Sequence, residues 1–390
     1  MKPLHRALPV LGLLSIMVLP ATAQDRVHRS AQHDFHVVTV AEGLEVPWSM
    51  AWLPNGDMLV TERPGRLRVI RDGVLLPDAV PGVPEVRVGG QGGLFDVMPH
   101  PDFATNRLIY FSYAKERADG MGTTAVARGR LENDRLHDVE DIFLAEVWSE
   151  GRGHHGGRLA FDGKGHLFIS LGDRQSPSTG DLEKHPAQDL SNHFGSIIRL
   201  HDDGRVPADN PFVGTEGARP EVWSYGHRNV QGMVIHPETG ELWAHEHAPQ
   251  GGDELNLIEP GKNYGWPVVG YGVNYRTGLA IHEGTMREGM EHPVKVWVPS
   301  IATSGLAIYT GDRFPRWKGN IFVGGLAGQQ VNRLTMDGHE VLNTEQMVQR
   351  MGRVRDVRQG PDGYLYVAFE ARGGDLTPIV RLEPVDRREP

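Results

Sequence analysis

Two adjacent histidines, His154 and His155, lie in a glycine-rich stretch and are the first residues that could carry chemistry. An imidazole accepts a proton near neutral pH, so either side chain could act as a general base. Neighbouring side chains on an extended chain point to opposite sides, so we do not expect the pair to chelate one ion. The flanking glycines allow the backbone to approach a ligand closely. One histidine is therefore predicted to be a general base, and the alternative is a loop histidine satisfied by the backbone.

Three arginines lie in short polar motifs and indicate an anion site. Arg228 follows a Ser-Tyr-Gly-His sequence, and Arg353 and Arg355 are separated by a single valine. A spacing of two places Arg353 and Arg355 on the same side of a strand. Two like charges side by side are unfavourable unless an anion lies between them. The alternative is a solvated strand face with Asp356 nearby.

Two loops also have unusual composition. Four glycines surround Gln91 in residues 89–94, which predicts a backbone that bends sharply or passes close to another group, unless the loop is a plain flexible turn. Residues 246–254 combine carboxylates with backbone carbonyls that a hard cation such as Ca²⁺ could bind. They lack the regular carboxylate spacing of an EF-hand, so a turn with surface acids is the alternative.

A repeated pattern of a turn followed by a short apolar strand must position these side chains. No copy can bury its apolar face alone, so the copies are expected to pack around a common axis. Together with the absence of long helical periodicity, this predicts an all-β fold, a six-bladed β-propeller; the alternative is a β-sandwich. The longest insertions fall in residues 171–299, where we expect functional loops. The six apolar strands are residues 58–60, 108–110, 167–170, 242–244, 321–323 and 365–367.

Composition and the N-terminal residues predict the domain organisation. The 390 residues include 49 glycines, 27 prolines and no cysteine, which suits many turns and short strands. Residues 1–23 resemble a signal peptide, with a basic start, an apolar run and a small-residue cleavage site at Ala21-Thr22-Ala23. We expect a polar lead-in over residues 24–36 and one propeller domain over residues 37–385. The protein is expected to be exported to the periplasm; an uncleaved anchor is the alternative.

The charge of the chain excludes one class of partner. The formal net charge is −10, and removal of Lys2 and Arg6 with the leader lowers it to −12. Nucleic acid is not an expected partner, because phosphate binding needs a concentrated basic surface. No later segment has the length of a membrane span.

Taken together, these motifs resemble the soluble quinoprotein sugar dehydrogenases, the family of glucose and aldose dehydrogenases that depend on pyrroloquinoline quinone (PQQ). The resemblance extends from about Val37 to Leu382, and the order of the motifs carries it. It implies a six-bladed propeller with PQQ over one end of the central channel. The most specific motifs are residues 90–94, 154–159, 225–229, 263–267 and 353–363.

The resemblance implies roles for particular residues. His154, rather than His155, falls on the position of the catalytic base, which takes the proton of the anomeric hydroxyl while hydride moves to the quinone C5. The carbonyls of Ala248 and Pro249 fall on positions that hold a calcium ion at the quinone, and Glu254 and Tyr264 resemble a second, structural calcium site. The positions that match cofactor contacts are Gln91, Arg228, Asn229, Arg353 and Arg355.

One departure from the family leaves other functions open. Where family members can place a lysine against the cofactor, residues 325–328 are Gly-Leu-Ala-Gly, with Ala327 at the expected lysine position. The expected function is oxidation of the C1 hydroxyl of aldoses to lactones with PQQ and calcium, passing electrons to an unknown acceptor. The alternatives are a non-redox propeller that binds glycans or a protein partner, and a calcium-dependent lactonase. No role is assigned to the loop of residues 173–188.

Overall fold

Strands make up nearly all the regular structure of the chain. The structure is a computed structural model that describes residues 26–385. Its strands form six antiparallel sheets. No helix within these residues is both long enough and apolar enough to span a bilayer. The helical elements in this part of the chain are α1 (Phe103–Asn106) and three 3₁₀ helices (Leu182–Lys184, Pro186–Gln188 and Pro315–Trp317).

The first three sheets, blades 1 to 3, each contain four strands that follow one another in the chain. The first strand of each blade contacts the first strands of its two neighbours, so these strands form the inner wall of the ring. Blade 1 contains β3 (Pro47–Trp52), β4 (Met58–Glu62), β5 (Arg66–Arg71) and β6 (Val74–Leu75); blade 2 contains β7 (Leu94–Pro99), β8 (Leu108–Glu116), β9 (Gly122–Glu132) and β10 (Arg135–Leu144); blade 3 contains β11 (Gly156–Phe161), β12 (His166–Leu171), β13 (Ile197–His201) and β14 (Val222–Ser224).

Blades 4 to 6 complete the ring, and blade 6 joins the two ends of the described chain. Blade 4 contains β15 (Val230–Ile235), β16 (Leu242–Glu246), β17 (Asp253–Ile258) and β18 (Lys295–Trp297); blade 5 contains β19 (Thr303–Ile308), β20 (Ile321–Gly325), β21 (Gln330–Asp337) and β22 (Glu340–Met347); blade 6 contains β23 (Arg353–Gln359), β24 (Leu365–Glu370), β25 (Leu376–Pro384), β2 (Phe35–Glu45) and β1 (Val27–His28).

The pairing of β2 with β25 closes the ring. Phe35 lies opposite Pro384 and Glu45 lies opposite Leu376, so an early strand completes the sheet built by the last three. Residues 24–36, which the sequence analysis treats as a lead-in, contribute β1 and the start of β2. The segment after β1 also reaches blade 5, where the Arg333 guanidinium donates to Gln32 Oε1 at 2.8 Å.

The six predicted turn-strand repeats are the second strands of the six blades, which confirms the propeller. Residues 58–60 lie in β4, and residues 365–367 lie in β24. These second strands are buried along most of their length, because each lies between two strands of its own sheet and is covered by neighbouring blades. Residues 47–52, which include two tryptophans, form β3, the inner strand of blade 1.

Paired charged side chains from the inner strands fill the central axis of the ring. Arg158 of blade 3 lies 3.0 Å from an oxygen of Asp356 of blade 6, and its guanidinium stacks 4.1 Å from the ring of Trp48. Arg358 lies 3.0 Å from Asp96 and 3.1 Å from Asp356. Asp356 therefore faces the axis.

Candidate active site at one mouth of the ring

A cavity of about 250 Å³ opens at the end of the ring where the inner strands begin. Residues at or just before the starts of these strands form much of its wall, because the ring brings all six starts together. Residues that follow the second strands form the rest. Each of the six blades contributes a residue to the cavity wall; in blade order these are Trp48, Phe95, Gly156, Gln231, Ala302 and Arg355.

His154 is not part of the cavity wall but directly precedes His155 and Gly156, which are, and two hydrogen bonds hold it there. Its backbone N–H donates to Gln91 Oε1 at 2.8 Å, and its Nδ1 lies 2.6 Å from Asp173 Oδ1. A carboxylate only accepts hydrogen bonds, so Asp173 places the proton on Nδ1 and leaves the Nε2 lone pair free of that proton. Trp266 Nε1 donates to the second carboxylate oxygen at 2.8 Å, which fixes the orientation of Asp173.

The backbone around His154 and Gln91 leaves no room for side chains at two glycines. A Cβ on Gly172 would lie 2.2 Å from the carbonyl oxygen of His154. A Cβ on Gly93 would lie 2.0 Å from the carbonyl oxygen of Arg63, and Gly93 has a φ of 149°. The predicted close approach in the glycine loop is therefore confirmed.

Burial and charge together set the protonation of the His154–Asp173 pair. Burial lowers the pKa of His154, and the Asp173 carboxylate opposes that shift without reversing it. Burial works against ionisation of Asp173, but His154 and Arg228 outweigh it and lower its pKa. At neutral pH the pair is therefore a carboxylate beside a neutral imidazole.

His155 has different neighbours from His154. Its ring lies 5.2 Å from that of Phe95, and the residue lines the cavity. Burial lowers its pKa well below the ordinary value, and Arg174 and Arg87 add to the shift. His155 is therefore neutral, and its Nε2 has no hydrogen-bond partner among the described residues.

The structure confirms that Arg353 and Arg355 share one side of their strand, and a carboxylate lies between them. Glu370 lies 3.0 Å from Arg353 and 2.7 Å from Arg355. Burial works against ionisation of Glu370, but the two arginines outweigh it and lower its pKa. All three residues line the cavity, which excludes the solvated face that the sequence left open.

A chain of hydrogen bonds connects this cluster to blades 3 and 4. Arg355 Nη1 donates to Gln231 Oε1 at 3.1 Å, and Gln231 Nε2 donates to Asn229 Oδ1 at 3.2 Å. The same Asn229 oxygen accepts from the backbone N–H of Gly156 at 3.2 Å. Asn229 Nδ2 is buried without a partner among the described residues, so its two N–H donors remain for a ligand.

A second, smaller cavity of about 20 Å³ adjoins the first, and His247 lines both. Burial, and then the Glu246 carboxylate, raise the pKa of Glu254 well above its ordinary value. No group of three or more His, Asp and Glu side chains in residues 26–385 has the arrangement of a metal site. The smaller cavity collects four predicted site residues, Arg228, Ala248, Glu254 and Tyr264, together with Glu246.

The groups predicted to bind calcium have protein partners. The carbonyl of Ala248 accepts from Arg228 Nη1 at 3.0 Å, and the carbonyl of Pro249 accepts from Ser300 Oγ at 3.1 Å. The Tyr264 hydroxyl donates to the carbonyl of Leu257 at 2.6 Å. The carbonyl of Ala248 also accepts from the Tyr275 hydroxyl at 3.4 Å. Each carbonyl oxygen has two lone pairs, so among the described residues the Pro249 carbonyl keeps one that could bind a cation, whereas both lone pairs of Ala248 have donors.

The sequence analysis missed several residues of the site. Asp173 begins a loop to which no role was assigned, and Arg63, Gln231 and Glu370 were not singled out. A usable signal existed, because Arg63 and Asp173 come directly or almost directly after second strands and Glu370 ends one. The C-terminal ends of the second strands therefore lie at the mouth of the ring that holds the cavity.

Comparison with known proteins identifies the family. The family model of glucose/sorbosone dehydrogenases matches residues 44–378, most of the chain. The chain belongs to this family. The aldose sugar dehydrogenase YliI of Escherichia coli K12 is 42% identical over 371 residues, which cover 94% of this chain and 98% of that protein.

Solved structures of glucose/sorbosone dehydrogenase relatives show the same architecture. A crystal structure of a glucose dehydrogenase is 45% identical and superposes with a TM-score of 0.83, covering 88% of this chain and 98% of the other. The PQQ-bound form of an aldose sugar dehydrogenase from Streptomyces coelicolor is 28% identical with a TM-score of 0.72, covering 90% and 98%.

Proposed function

We propose that the protein is a periplasmic dehydrogenase that oxidises the C1 hydroxyl of aldoses to lactones with PQQ and calcium. The observation that carries the proposal is the placement of the His154–Asp173 pair beside a cavity rich in arginine. A base and an anion site at one mouth suit oxidation of a neutral alcohol by an acidic cofactor. The family, and the PQQ bound in one relative, support this function.

The cavity fits a polycarboxylate. Arg63, Arg353 and Arg355 line it with Glu370, so three guanidinium groups face one carboxylate. Arginine forks bind carboxylates through paired, charge-assisted hydrogen bonds, and PQQ has three carboxylates. The unpartnered Nδ2 of Asn229 and Nε of Arg228 are further donors. The residues proposed to hold the cofactor are Gln91, Arg228, Asn229, Arg353 and Arg355.

In this proposal PQQ supplies the quinone that accepts hydride, and the protein supplies orientation and the base. Asp173 keeps the proton of His154 on Nδ1, so Nε2 accepts the proton of the sugar hydroxyl. The lowered pKa of His154 keeps this nitrogen unprotonated at neutral pH. Because the histidine is largely buried, the Asp173 hydrogen bond and the Gln91 contact fix its position.

Calcium is proposed to bind at the smaller cavity and at the carbonyls of Ala248 and Pro249. Burial and the nearby Glu246 carboxylate raise the pKa of Glu254, and a divalent cation at this site would compensate the charge of the ionised carboxylate. Glu254 and Tyr264 line the same small cavity and are the proposed ligands of a structural ion. A calcium ion near the larger cavity would polarise the quinone as a Lewis acid.

The test is an absorbance titration of purified protein with PQQ and Ca²⁺, followed by assays of a panel of aldoses with an artificial electron acceptor. We expect saturable PQQ binding and reduction of the acceptor only when aldose is added. Absence of PQQ binding with calcium present would contradict the proposal and favour a non-redox propeller. Hydrolysis of lactones without PQQ would instead favour the lactonase.

Export is tested separately, because residues 1–23 lie outside the described part of the chain. We propose that this leader is removed after Ala23 and that the mature protein is periplasmic. N-terminal sequencing of protein from the periplasmic fraction should begin at Gln24. A protein that retains Met1 and fractionates with the membrane would support the uncleaved anchor.

A further inference from the structure

One guanidinium of the cavity differs from the others in having no partner. Arg353 and Arg355 form ion pairs with Glu370, and Arg228, in the adjoining smaller cavity, donates to the carbonyls of His247 and Ala248. The side chain of Arg63 lines the same cavity but forms no hydrogen bond or ion pair with any residue in 26–385. A partly buried cation without a partner is unfavourable, so its presence needs an explanation.

The backbone of Arg63 is firmly held although its side chain is free. Its N–H donates to the carbonyl of Val46 at 3.0 Å, and its carbonyl accepts from Leu94 N–H at 3.0 Å. These bonds fix it between the first strands of blades 1 and 2. The lack of room for a Cβ on Gly93 shows how closely the backbone at Gly93 passes the backbone at Arg63. The side chain is thus delivered to the cavity by a fixed backbone.

The electrostatic surroundings of Arg63 are unfavourable without a ligand. Burial lowers the pKa of its guanidinium, and Arg355 and Arg353 lower it further while Glu370 acts in the opposite direction. With three arginines and one carboxylate, the cluster carries two positive charges that its own residues leave uncompensated. An anion in the cavity would compensate them.

We infer that Arg63 binds a carboxylate of the cofactor and supplies the cationic contact that blade 5 does not provide. Blade 5 contributes Ala302 and Leu326 to the cavity wall, and neither carries a charge. Arg63 of blade 1 faces the same space with free donors. This inference rests on the proposed function, because it assumes that an anionic cofactor binds in this cavity.

The test compares PQQ binding by the wild-type protein with binding by Arg63→Ala, Arg63→Lys and Arg135→Ala, all with Ca²⁺. Loss of a charge-assisted contact should weaken binding by Arg63→Ala about 10- to 100-fold. Arg63→Lys should recover part of the affinity. Arg135 is exposed on the outer strand of blade 2, so its variant matches the charge change outside the cavity and should bind as the wild type does.

Thermal unfolding without cofactor separates binding from a structural role. Arg63→Ala should unfold at the same temperature as the wild type or a higher one, because the substitution removes repulsion and breaks no contact. PQQ should raise the unfolding temperature of the variant less than that of the wild type. Equal PQQ affinity in the two proteins, or a clearly lower unfolding temperature for the cofactor-free variant, would overturn the role of Arg63 alone. Failure of the wild-type protein to bind PQQ would overturn the proposed function and this inference with it.

Discussion

Replacement of Asp173 by asparagine is the sharpest test of the proposed base. Asp173 accepts from His154 Nδ1 at 2.6 Å and from the Gln175 N–H at 2.9 Å through one oxygen, and from Trp266 Nε1 at 2.8 Å through the other. An asparagine has one oxygen, so its NH₂ group must face one of these two positions. If it faces His154, the imidazole must accept there and carry its proton on Nε2, which then cannot take a proton from the sugar.

The expected loss follows from these contacts. Removing a hydrogen bond to a charged group costs about 1.5–3 kcal/mol, equivalent to about 10- to 100-fold in rate. Loss of the correct tautomer removes general-base catalysis, which contributes about 10²- to 10⁴-fold. We therefore expect kcat/KM for Asp173→Asn to fall about 10²-fold or more. Because Asp173 acts through His154, it is a positioning residue.

The pH profile provides the second readout. Burial lowers the pKa of His154, and Asp173 partly offsets that shift. Activity requires the neutral imidazole, so it falls as the pH drops through this pKa. Without the carboxylate the pKa should fall further, and the acid limb of the Asp173→Asn profile should move to lower pH.

A matched control exists at the other end of the same two strands. Asp162 lies 2.7 Å from His166 Nδ1, so Asp162→Asn breaks a similar His–Asp pair far from the cavity. Both variants should be assayed with PQQ and Ca²⁺ from pH 5 to 8, at substrate concentrations that give kcat and KM separately. Wild-type rates and an unchanged acid limb in Asp173→Asn would refute the assigned tautomer. An equal loss in Asp162→Asn would show that the effect is not specific to the mouth.

Three further predictions concern the same mouth. His154→Ala should lose about 10²-fold or more of its turnover while still binding PQQ, and full activity would remove His154 from the mechanism. Glu370→Gln leaves Arg353 and Arg355 without their carboxylate and should lower the free energy of unfolding by about 3–5 kcal/mol. In denaturant titrations PQQ should restore part of this loss. Unchanged stability of the variant would contradict the contribution of the buried ion pairs. The raised pKa of Glu254 means that cofactor-free protein should lose stability as the pH rises above the ordinary carboxyl value of 4.5, until the raised pKa is passed. Calcium should reverse this loss in thermal unfolding from pH 4 to 8, and a pH dependence that persists in Glu254→Gln would assign it to another group.

The sequence predicts the propeller because its signal is local. Each second strand is preceded by turn residues such as Pro361-Asp362-Gly363, and its apolar run is long enough to be recognised alone. All six runs lie in the expected strands, including residues 167–170 in β12 and 321–323 in β20. Local chemistry was sufficient to count the blades.

The electrostatic partners in the site were harder to predict because strand pairing and loop packing bring them together. Arg353 and Arg355 were expected to need an anion, but their carboxylate, Glu370, is supplied by the C-terminal end of the adjacent strand, opposite Arg353. The partner of His154, Asp173, lies across a hairpin, and its other donor, Trp266, is separated from it by 93 residues. No spacing rule along the chain indicates such distant partners.

Charges inside the ring fall into two groups, and the difference helps to distinguish structure from function. On the axis, Arg158 and Arg358 are paired with Asp96 and Asp356, so these buried charges compensate one another and fill the channel. At the mouth, Arg63 has no pairing partner within residues 26–385, although the chain as a whole is acidic. An unpaired cation would be costly to keep in such a position without a ligand. The charges along the axis are therefore paired inside the ring, whereas the opening carries an excess of positive charge. An anionic cofactor fits at this opening.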